Sequence, residues 1–210
     1  MSSATITTSA RLMNSTPQTE EQAMVRKVAV SSFLGNFIEW FDYASYSYFA
    51  TTIALVFFPT DNHTVAMLQT FGVFALSFIL RPIGALFWGS YGDKKGRKAA
   101  LAHSIMFMSG ASFLIGCLPS YSVIGVGAPI LLLLLRMVQG FSASGEYAGA
   151  ATFLGEYAPT SKRGIYCSLI PASTAIGLLA GSTLATLMTA NMNSSAMVGW
   201  GWRVPFLLAG

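Results

Sequence analysis

Gly89-Ser90-Tyr91-Gly92-Asp93-Lys94-Lys95-Gly96-Arg97-Lys98 is a dense cluster of charge that lies between two long apolar runs. Its ten residues include one carboxylate, four basic side chains and three glycines. Cytoplasmic loops of membrane proteins carry an excess of Lys and Arg. We therefore expect this loop to lie on the cytoplasmic side of a membrane and to fix the direction of every neighbouring segment.

The composition of the chain is typical of a protein that crosses a membrane several times. Of its 210 residues, 53% are hydrophobic and 10% are charged, whereas a soluble domain carries about 25% charged residues. The net charge of +4 does not indicate nucleic-acid binding, because the basic residues lie beside apolar runs and form no patch with interleaved aromatic residues. We expect the lipid bilayer, and no nucleic acid, as a partner.

Six apolar runs follow a polar N-terminal segment. Residues 1–24 are rich in Ser and Thr, which predicts a disordered cytoplasmic tail. A helix needs ~20 residues to cross the bilayer; five runs are that long, and the sixth begins near Trp202 and stops with the chain at Gly210. The predicted fold is an all-α transmembrane bundle over residues 25–210, with spans at about 28–58, 65–91, 99–118, 123–154, 165–190 and, incomplete, 202–210.

Basic residues alternate between the predicted loops. The N-terminal segment, the 89–98 loop and the 156–164 loop contain Lys and Arg, whereas the loops around His63 and Tyr121 contain neither. The positive-inside rule therefore places the N-terminus and both basic loops in the cytoplasm.

One side of the first predicted span is polar. At ~100° per residue, Asn36, Glu39, Tyr43 and Tyr46 share this side, and Asp42 lies slightly off the line. Such a stripe faces a bundle interior. Hydrogen bonding within the packing is the structural alternative, although two carboxylates three residues apart exceed what packing needs. Desolvation raises the pKa of a buried carboxyl group and a nearby cation lowers it, so a balanced carboxylate can take up and release a proton.

Arg81 and Arg136 lie inside apolar runs, where a charge near the bilayer centre costs ~2.5–3.5 kcal/mol. At 1.5 Å per residue, the depth of Arg136 overlaps that of Asp42, and Glu39 and Arg81 also come out at similar depths. We expect Arg136 to pair with Asp42 or Glu39. A carbonyl freed by Pro82 is another partner for Arg81, so a structural role and a transport role are equally supported for that residue.

Gln139 and Glu146 lie on nearly the same face of the fourth predicted span as Arg136. Together with the polar side of the first span, they give the candidate substrate and proton pathway: Asn36, Glu39, Asp42, Tyr43, Arg136 and Gln139.

The 89–98 loop resembles the signature between helices two and three of the major facilitator superfamily, a pattern of Gly, spacer, Asp, basic residue, Gly and two basic residues. The matching positions are Gly89, Asp93, Lys94, Gly96, Arg97 and Lys98. Residues 35–43, 136–142, 145–147 and 201–206 resemble the metabolite:H+ symporter family, and stretches between 128 and 164 look nearest to its proline/glycine betaine type.

The resemblance implies a carrier of twelve spans in two six-helix halves, of which this chain supplies the N-terminal half with a truncated sixth helix. It implies that Glu39, Asp42 and Arg136 line a central cavity. It further implies a cytoplasmic charge network that latches one conformation, with Glu146 or Glu156 as an acidic member. The candidate latch residues are Gly89, Asp93, Gly96, Arg97, Lys98 and Glu146.

The predicted function is proton-coupled symport of a small metabolite, such as proline/betaine or an organic acid, across the bacterial inner membrane. The proton is the coupling ion, and we expect no cofactor. The alternative is a non-transporting membrane protein, either a truncated fragment or a half that needs a C-terminal half or self-association, and we expect the 210-residue chain alone to transport nothing. The sequence contains no nucleophile–base pair, metal cluster or cofactor loop that favours an enzyme.

Overall fold

The structure, a computed structural model, describes residues 16–145, 149, 151, 154–155 and 158–210, with side chains from residue 23 onward. Its regular elements in these residues are helical. A short 3-10 turn, Thr160–Lys162, precedes the longest helix of the second half of the chain. The helices are α1 (Thr16–Tyr48), α2 (Ala50–Phe57), α3 (His63–Ile79), α4 (Arg81–Lys95), α5 (Arg97–Cys117), α6 (Tyr121–Ile124), α7 (Gly127–Ala143), α8 (Arg163–Asn191), α9 (Ser194–Ala196) and α10 (Arg203–Ala209).

The first helix begins earlier than the apolar pattern predicts. Residues 1–15 of the predicted tail lie outside the described residues, but α1 starts at Thr16, so residues 16–24 are helical and that part of the prediction is wrong. Gln, Glu, Ala and Met, which dominate residues 18–24, are good helix formers. Helix propensity therefore extends α1 beyond its apolar part.

The charged loop at 89–98 is almost entirely helical. Helix α4 continues to Lys95, and the single residue Gly96 links it to α5. Gly96 has a φ of 93° and its N–H donates to the carbonyl of Gly92 at 2.9 Å. Only glycine adopts this backbone conformation at little cost, so Gly96 allows two membrane helices to meet through one residue.

Two other predicted span boundaries differ from those in the structure. The fourth predicted span, 123–154, is interrupted at Gly125, which has a φ of 58° and separates α6 from α7. The sixth segment begins near Ser194 rather than Trp202, because the side chain of Asn193 accepts the N–H of Ala196 at 2.8 Å and starts a helical turn there. A π-helical turn, Met197–Gly201, follows and leads through Trp202 into α10.

Three helical segments of the described residues are long and apolar enough, by length and composition, to cross a membrane: His63–Lys95, Arg97–Cys117 and Thr160–Asn191. Gly127–Ala143 is a shorter apolar helix. Large apolar side chains such as Leu68, Leu86 and Leu179 are exposed on the outer surface. Exposed apolar side chains outside and polar ones inside suit a bundle surrounded by lipid.

Glycines allow α8 to approach α1 closely. A Cβ atom on Gly177 would lie 2.7 Å from the carbonyl oxygen of Phe37, and one on Gly181 would lie 2.7 Å from the Cβ of Ala44. In lipid, where apolar burial gives little driving force between helices, such close backbone packing stabilises the bundle.

Two apolar clusters lie along α1 on either side of its polar residues. The first contains Val25 and Ala29 near the start of the helix, with Ile170 of α8. The second surrounds the end of α1 and all of α2, and its larger members include Tyr46, Phe49, Phe57, Leu132, Trp202 and Phe206. The polar residues between positions 36 and 43 therefore lie in a layer between the two clusters.

Candidate functional site

A buried hydrogen-bond network centred on Asp42 connects α1, α5 and α7. Arg136 Nη1 forms an ion pair with Asp42 Oδ2 and also donates to Gln139 Oε1 at 2.9 Å. Asp42 Oδ1 accepts bonds of 3.2 Å from both Ser112 Oγ and Gln139 Nε2. We call Asp42, Ser112, Arg136 and Gln139 the Asp42 network; both side chains of its ion pair are at most 3% exposed. The network holds three helices together around one carboxylate.

Aromatic rings enclose the guanidinium group of Arg136. Its central carbon lies 3.9 Å from the ring centre of Tyr46 and 5.4 Å from that of Phe206. Nε and Nη2 of Arg136 are buried without a hydrogen-bond partner among the described residues. Attraction between the cation and the ring faces stabilises the charge where hydrogen bonds do not. Because Tyr46 in turn donates to the carbonyl of Thr70 at 2.9 Å, its ring is fixed against Arg136.

A second charged cluster lies one helical turn away and joins α1 to α4. Nη2 of Arg81 forms an ion pair with Glu39 Oε1 and also donates to the hydroxyl of Tyr43. The guanidinium carbon lies 4.7 Å from the ring centre of Phe78 and 5.3 Å from that of Tyr43. We call Glu39, Tyr43, Phe78 and Arg81 the Glu39 cluster. Its arginine side chain is 29% exposed, whereas that of Glu39 is 4% exposed.

A cleft of about 520 Å³ opens beside the Glu39 cluster. Helices α1, α4 and α7 line it, and its described lining includes Asn36, Glu39, Trp40, Arg81, Ala143 and Ser144. The lining offers a small molecule four kinds of group: the guanidinium of Arg81, which is paired with Glu39, the indole of Trp40, the hydroxyl of Ser144 and the amide of Asn36.

Asn36 has a packing role in addition to lining the cleft. Its Nδ2 donates to the carbonyl of Ile170 at 3.0 Å, and lies 2.8 Å from the hydroxyl oxygens of Ser173 and Thr174. Asn36 therefore ties α1 to α8, and its Oδ1 is buried without a hydrogen-bond partner among the described residues.

The structure brings together most of the predicted pathway residues, in two groups. The Arg136–Asp42 pair, one of the two pairs that the depth estimate allows, is present, and Gln139 joins it. Glu39 pairs with Arg81, so the partner of Arg81 is a carboxylate rather than a carbonyl freed by a proline. The transport role of these residues stays a prediction.

Three contributors to the site carry no clear signal in the sequence. Ser112 is one of three serines in an apolar run, with Ser104 and Ser109, and nothing local singles it out; Phe78 and Phe206 are ordinary apolar residues. Their importance comes from tertiary contacts with Asp42, Arg81 and Arg136, which no local pattern indicates.

The candidate latch residues lie at the junction of α4 and α5. A smaller cavity of about 260 Å³ lies at this junction. Its lining includes Gly89, Asp93, Arg97 and Lys98, and also Gly145, which follows α7 by two residues. Gly96 provides the backbone reversal described above. Glu146 and Glu156, the predicted acidic members, lie outside the described residues, so the latch stays a prediction.

The helical bundle and its buried charges have the form of a transporter of the major facilitator superfamily. The sugar (and other) transporter family matches residues 27–210, and the chain therefore belongs to that family. The predicted superfamily and fold class are confirmed.

Curated relatives share substantial sequence with the chain. It is 41% identical over 189 residues to the proline/betaine transporter of Salmonella typhimurium and 42% identical over 189 residues to the glycine betaine/proline/ectoine/pipecolic acid transporter OusA of Dickeya dadantii. Each alignment covers 90% of this chain and 38% of the relative, so the chain spans well under half of these relatives' length.

Solved structures show the same fold at low sequence identity. The proton:xylose symporter XylE, bound to 6-bromo-6-deoxy-D-glucose, matches with a TM-score of 0.76 and 16% identity, over 90% of this chain and 42% of XylE. The inward open conformation of XylE from E. coli matches with a TM-score of 0.73 over 88% and 45% of the two chains, also at 16% identity. The described bundle corresponds to roughly the N-terminal half of that fold.

Proposed function

We propose that this chain forms part of a secondary carrier that moves a small carboxylate metabolite, such as proline, betaine or an organic acid, together with a proton. The observation that carries the proposal is that Glu39 and Asp42, on one buried face of α1, are each paired with an arginine of another helix. Ionisable residues inside a membrane bundle are costly and mark ion or substrate pathways. Paired carboxylates of this kind can act as proton carriers.

Proton uptake by either carboxylate would change the links between helices. A carboxylate that takes up a proton becomes neutral, and its arginine keeps its charge. The ion pair between α1 and α4, or between α1 and α7, is then lost, which shifts the balance between two helix arrangements. In the alternating-access mechanism, such a shift exposes a central cavity first to one side of the membrane and then to the other.

The relatives support the substrate class. Their names include proline, betaine, ectoine and pipecolic acid, all of which carry a carboxylate. In the cleft, Arg81 offers a cation for a carboxylate, and Trp40 offers an aromatic face for a cationic or apolar group. We infer a zwitterionic amino-acid derivative as the preferred substrate.

We also propose that the protein resides in a bacterial inner membrane with its N-terminus in the cytoplasm. The basic residues of the α4–α5 junction and of the turn before α8 support this orientation. The cleft would form one wall of a transport cavity. A second set of helices, from another part of the natural protein or from a partner such as a second copy, would supply the facing wall.

Uptake into proteoliposomes tests the proposal. The protein at its natural length is reconstituted, and accumulation of labelled L-proline and glycine betaine is measured with an acidic exterior. We expect the pH gradient to drive accumulation and a protonophore to abolish it. Glu39→Gln or Asp42→Asn should eliminate accumulation, whereas Lys162→Gln, at an exposed position, should not. Accumulation by both carboxylate variants at the wild-type level would contradict the proposal.

A further inference from the structure

The two ion pairs differ in what surrounds the carboxylate. Asp42 accepts hydrogen bonds on both oxygens, from Arg136, Ser112 and Gln139. Glu39 accepts from Arg81, whose side chain is 29% exposed and lines the cleft. A small molecule in the cleft can therefore reach the arginine of one pair, while the arginine of the other is covered by aromatic rings.

We propose that Arg81 binds the carboxylate of the substrate, and that this carboxylate replaces Glu39 on Arg81 when Glu39 takes up a proton. The inference rests on the proposed function and deepens it: it assigns the proton to one acidic residue and the substrate carboxylate to one cation. Glu39 and the substrate then compete for the same guanidinium group, and this competition couples the proton to the substrate.

The atoms of Arg81 favour such an exchange. Nε and Nη2 lie on the same edge of the guanidinium group, and this edge binds a carboxylate through two parallel hydrogen bonds. In the structure, Nη2 is bonded to Glu39 and Tyr43, while Nε is buried without a hydrogen-bond partner among the described residues. A carboxylate that displaces Glu39 from Nη2 can also use Nε.

Arg81 also has supports that do not depend on Glu39. The hydroxyl of Tyr43 accepts from Nη2, and the ring of Phe78 lies 4.7 Å from the guanidinium carbon. Arginine remains protonated under all relevant conditions. When Glu39 becomes neutral, Arg81 should therefore stay charged and in place at the wall of the cleft, ready for another anion.

The exchange keeps the guanidinium group of Arg81 paired with a carboxylate. Before substrate binding, the cleft contains one anion, Glu39, and one cation, Arg81. Afterwards, Glu39 is a neutral carboxylic acid with the proton on one of its oxygens, and the substrate carboxylate pairs with Arg81. The number of carboxylate–guanidinium pairs is unchanged. A zwitterionic substrate is itself neutral, so the cleft gains the one positive charge of the proton; this charge appears as the cationic group of the substrate, for which Trp40 offers an aromatic face.

The charged and titratable neighbours of Glu39 are compatible with its proton uptake. They are Arg81 on α4, and Tyr43 and Asp42 on α1. Ala143 of α7 and the adjacent Ser144, which also line the cleft, do not titrate. Asp42 pairs with Arg136, which is covered by aromatic rings and is not part of the described lining of the cleft. This leaves Glu39 as the described carboxylate whose partner lines the cleft.

Equilibrium dialysis of the purified natural protein in detergent tests the exchange. Dissociation constants are measured between pH 5 and pH 8 for labelled L-proline, for glycine betaine and for L-prolinamide, which lacks the carboxylate. For the wild type, we expect the affinity for L-proline to rise as the pH falls, by up to about tenfold per pH unit. For Glu39→Gln, which mimics the protonated residue, the affinity should be high and independent of pH.

Changes at Arg81 separate substrate binding from a structural role. Arg81→Gln should weaken L-proline binding by at least about tenfold, since a charge-assisted bidentate bond is lost, and should leave L-prolinamide binding within about threefold. Arg81→Lys, which keeps the charge without the fork geometry, should give an intermediate loss for L-proline. The matched control is Arg203→Lys, because Arg203 contacts the carbonyls of Gly199 and Leu118 away from the cleft.

Several results would overturn the proposal. They are a Glu39→Gln variant that keeps the pH dependence of the wild type, equal losses for L-proline and L-prolinamide in both Arg81 variants, or a wild type that binds neither proline nor betaine.

The proposed function fails separately: if binding shows the expected exchange but a pH gradient drives no uptake, the exchange stands and the symport does not. If uptake is proton-driven but binding in Glu39→Gln still depends on pH, the symport stands and this exchange does not.

Discussion

Glu39 and Asp42 are one helical turn apart on α1, and both pair with an arginine, yet their surroundings differ. Asp42 and Arg136 are enclosed by Ser112, Gln139 and two aromatic rings, and the apolar cluster at the end of α1 lies beside them. Glu39 is equally buried, but its partner Arg81 lines a cleft. The two pairs therefore differ in access to the arginine rather than in burial of the carboxylate, and the proposed exchange depends on that access.

The enclosed pair is best understood as a fixed connection between helices. A buried ion pair gains little net free energy over an apolar replacement, but loss of one partner leaves an unpaired buried charge. The Asp42 network thereby penalises any arrangement that separates α1 from α7. The Glu39–Arg81 pair carries no such penalty in the proposed exchange, in which a substrate carboxylate takes the place of Glu39.

The largest expected effect concerns the two arginines. Arg136→Gln should lower the free energy of unfolding by ~3–5 kcal/mol, because it leaves Asp42 charged and buried. Arg81→Gln should lower it less, by ~1–2 kcal/mol, because the buried carboxylate that it leaves lines the cleft and can take up a proton there. Unfolding in mixed dodecyl maltoside and SDS micelles measures both. Equal effects of the two substitutions would contradict the distinction between the pairs.

A double variant provides the control for this comparison. Asp42→Asn combined with Arg136→Gln removes both charges, so its destabilisation should be smaller than the sum of the two single changes. A fully additive result would show that the ion pair does not fix α1 against α7.

The next effect tests the packing that supports the enclosed network. Gly140 follows Gln139 on α7, and a Cβ atom there would lie 1.9 Å from the carbonyl oxygen of Ser77. Gly140→Ala should therefore separate α7 from α3 and destabilise the protein by ~1–3 kcal/mol. Gly72→Ala on α3 is the matched control, because nothing lies within 4 Å of its Cβ position; we expect a gain of ~0.5–1 kcal/mol there. The same micelle unfolding assay distinguishes them, and similar effects at the two glycines would refute the packing argument.

The smallest effect compares two serines. Ser112→Ala removes the hydroxyl that contacts both Asp42 and Gln139, at 3.2 and 2.6 Å, and should cost about 1 kcal/mol. Ser144 lines the cleft and donates to the carbonyl of Phe141 in its own helix at 2.8 Å. Ser144→Ala should therefore change the free energy of unfolding by less than ~0.5 kcal/mol. A larger loss at Ser144 than at Ser112 would reverse the assignment of the two regions.

The sequence predicts much of this arrangement because charge inside apolar runs is rare and conspicuous. Asn36, Glu39 and Tyr43 fall on one side of a helix by periodicity alone, with Asp42 slightly off the line, and residue depth brings Arg136 to the level of Asp42. Periodicity and depth do not show which arginine is accessible. That property depends on the rings of Tyr46 and Phe206, which reach Arg136 only through the tertiary fold.

The ends of the helices were less predictable from the sequence than the charged residues of the candidate site. The apolar pattern places the start of the last segment at Trp202, but a cap at Asn193 starts the helical turn eight residues earlier. Likewise, α1 extends to Thr16 through residues that are polar yet favour a helix. Hydropathy reports where lipid contacts the chain, whereas helix ends are set by backbone hydrogen bonds that hydropathy does not detect.

Calorimetry of L-proline binding in two buffers with different ionisation enthalpies counts the protons taken up per bound substrate. At a pH where Glu39 is ionised, the account predicts about one proton for the wild type, about one for Asp42→Asn, and none for Glu39→Gln. Proton uptake that persists in Glu39→Gln and disappears in Asp42→Asn would contradict it, because the enclosed pair would then be the one that exchanges its proton.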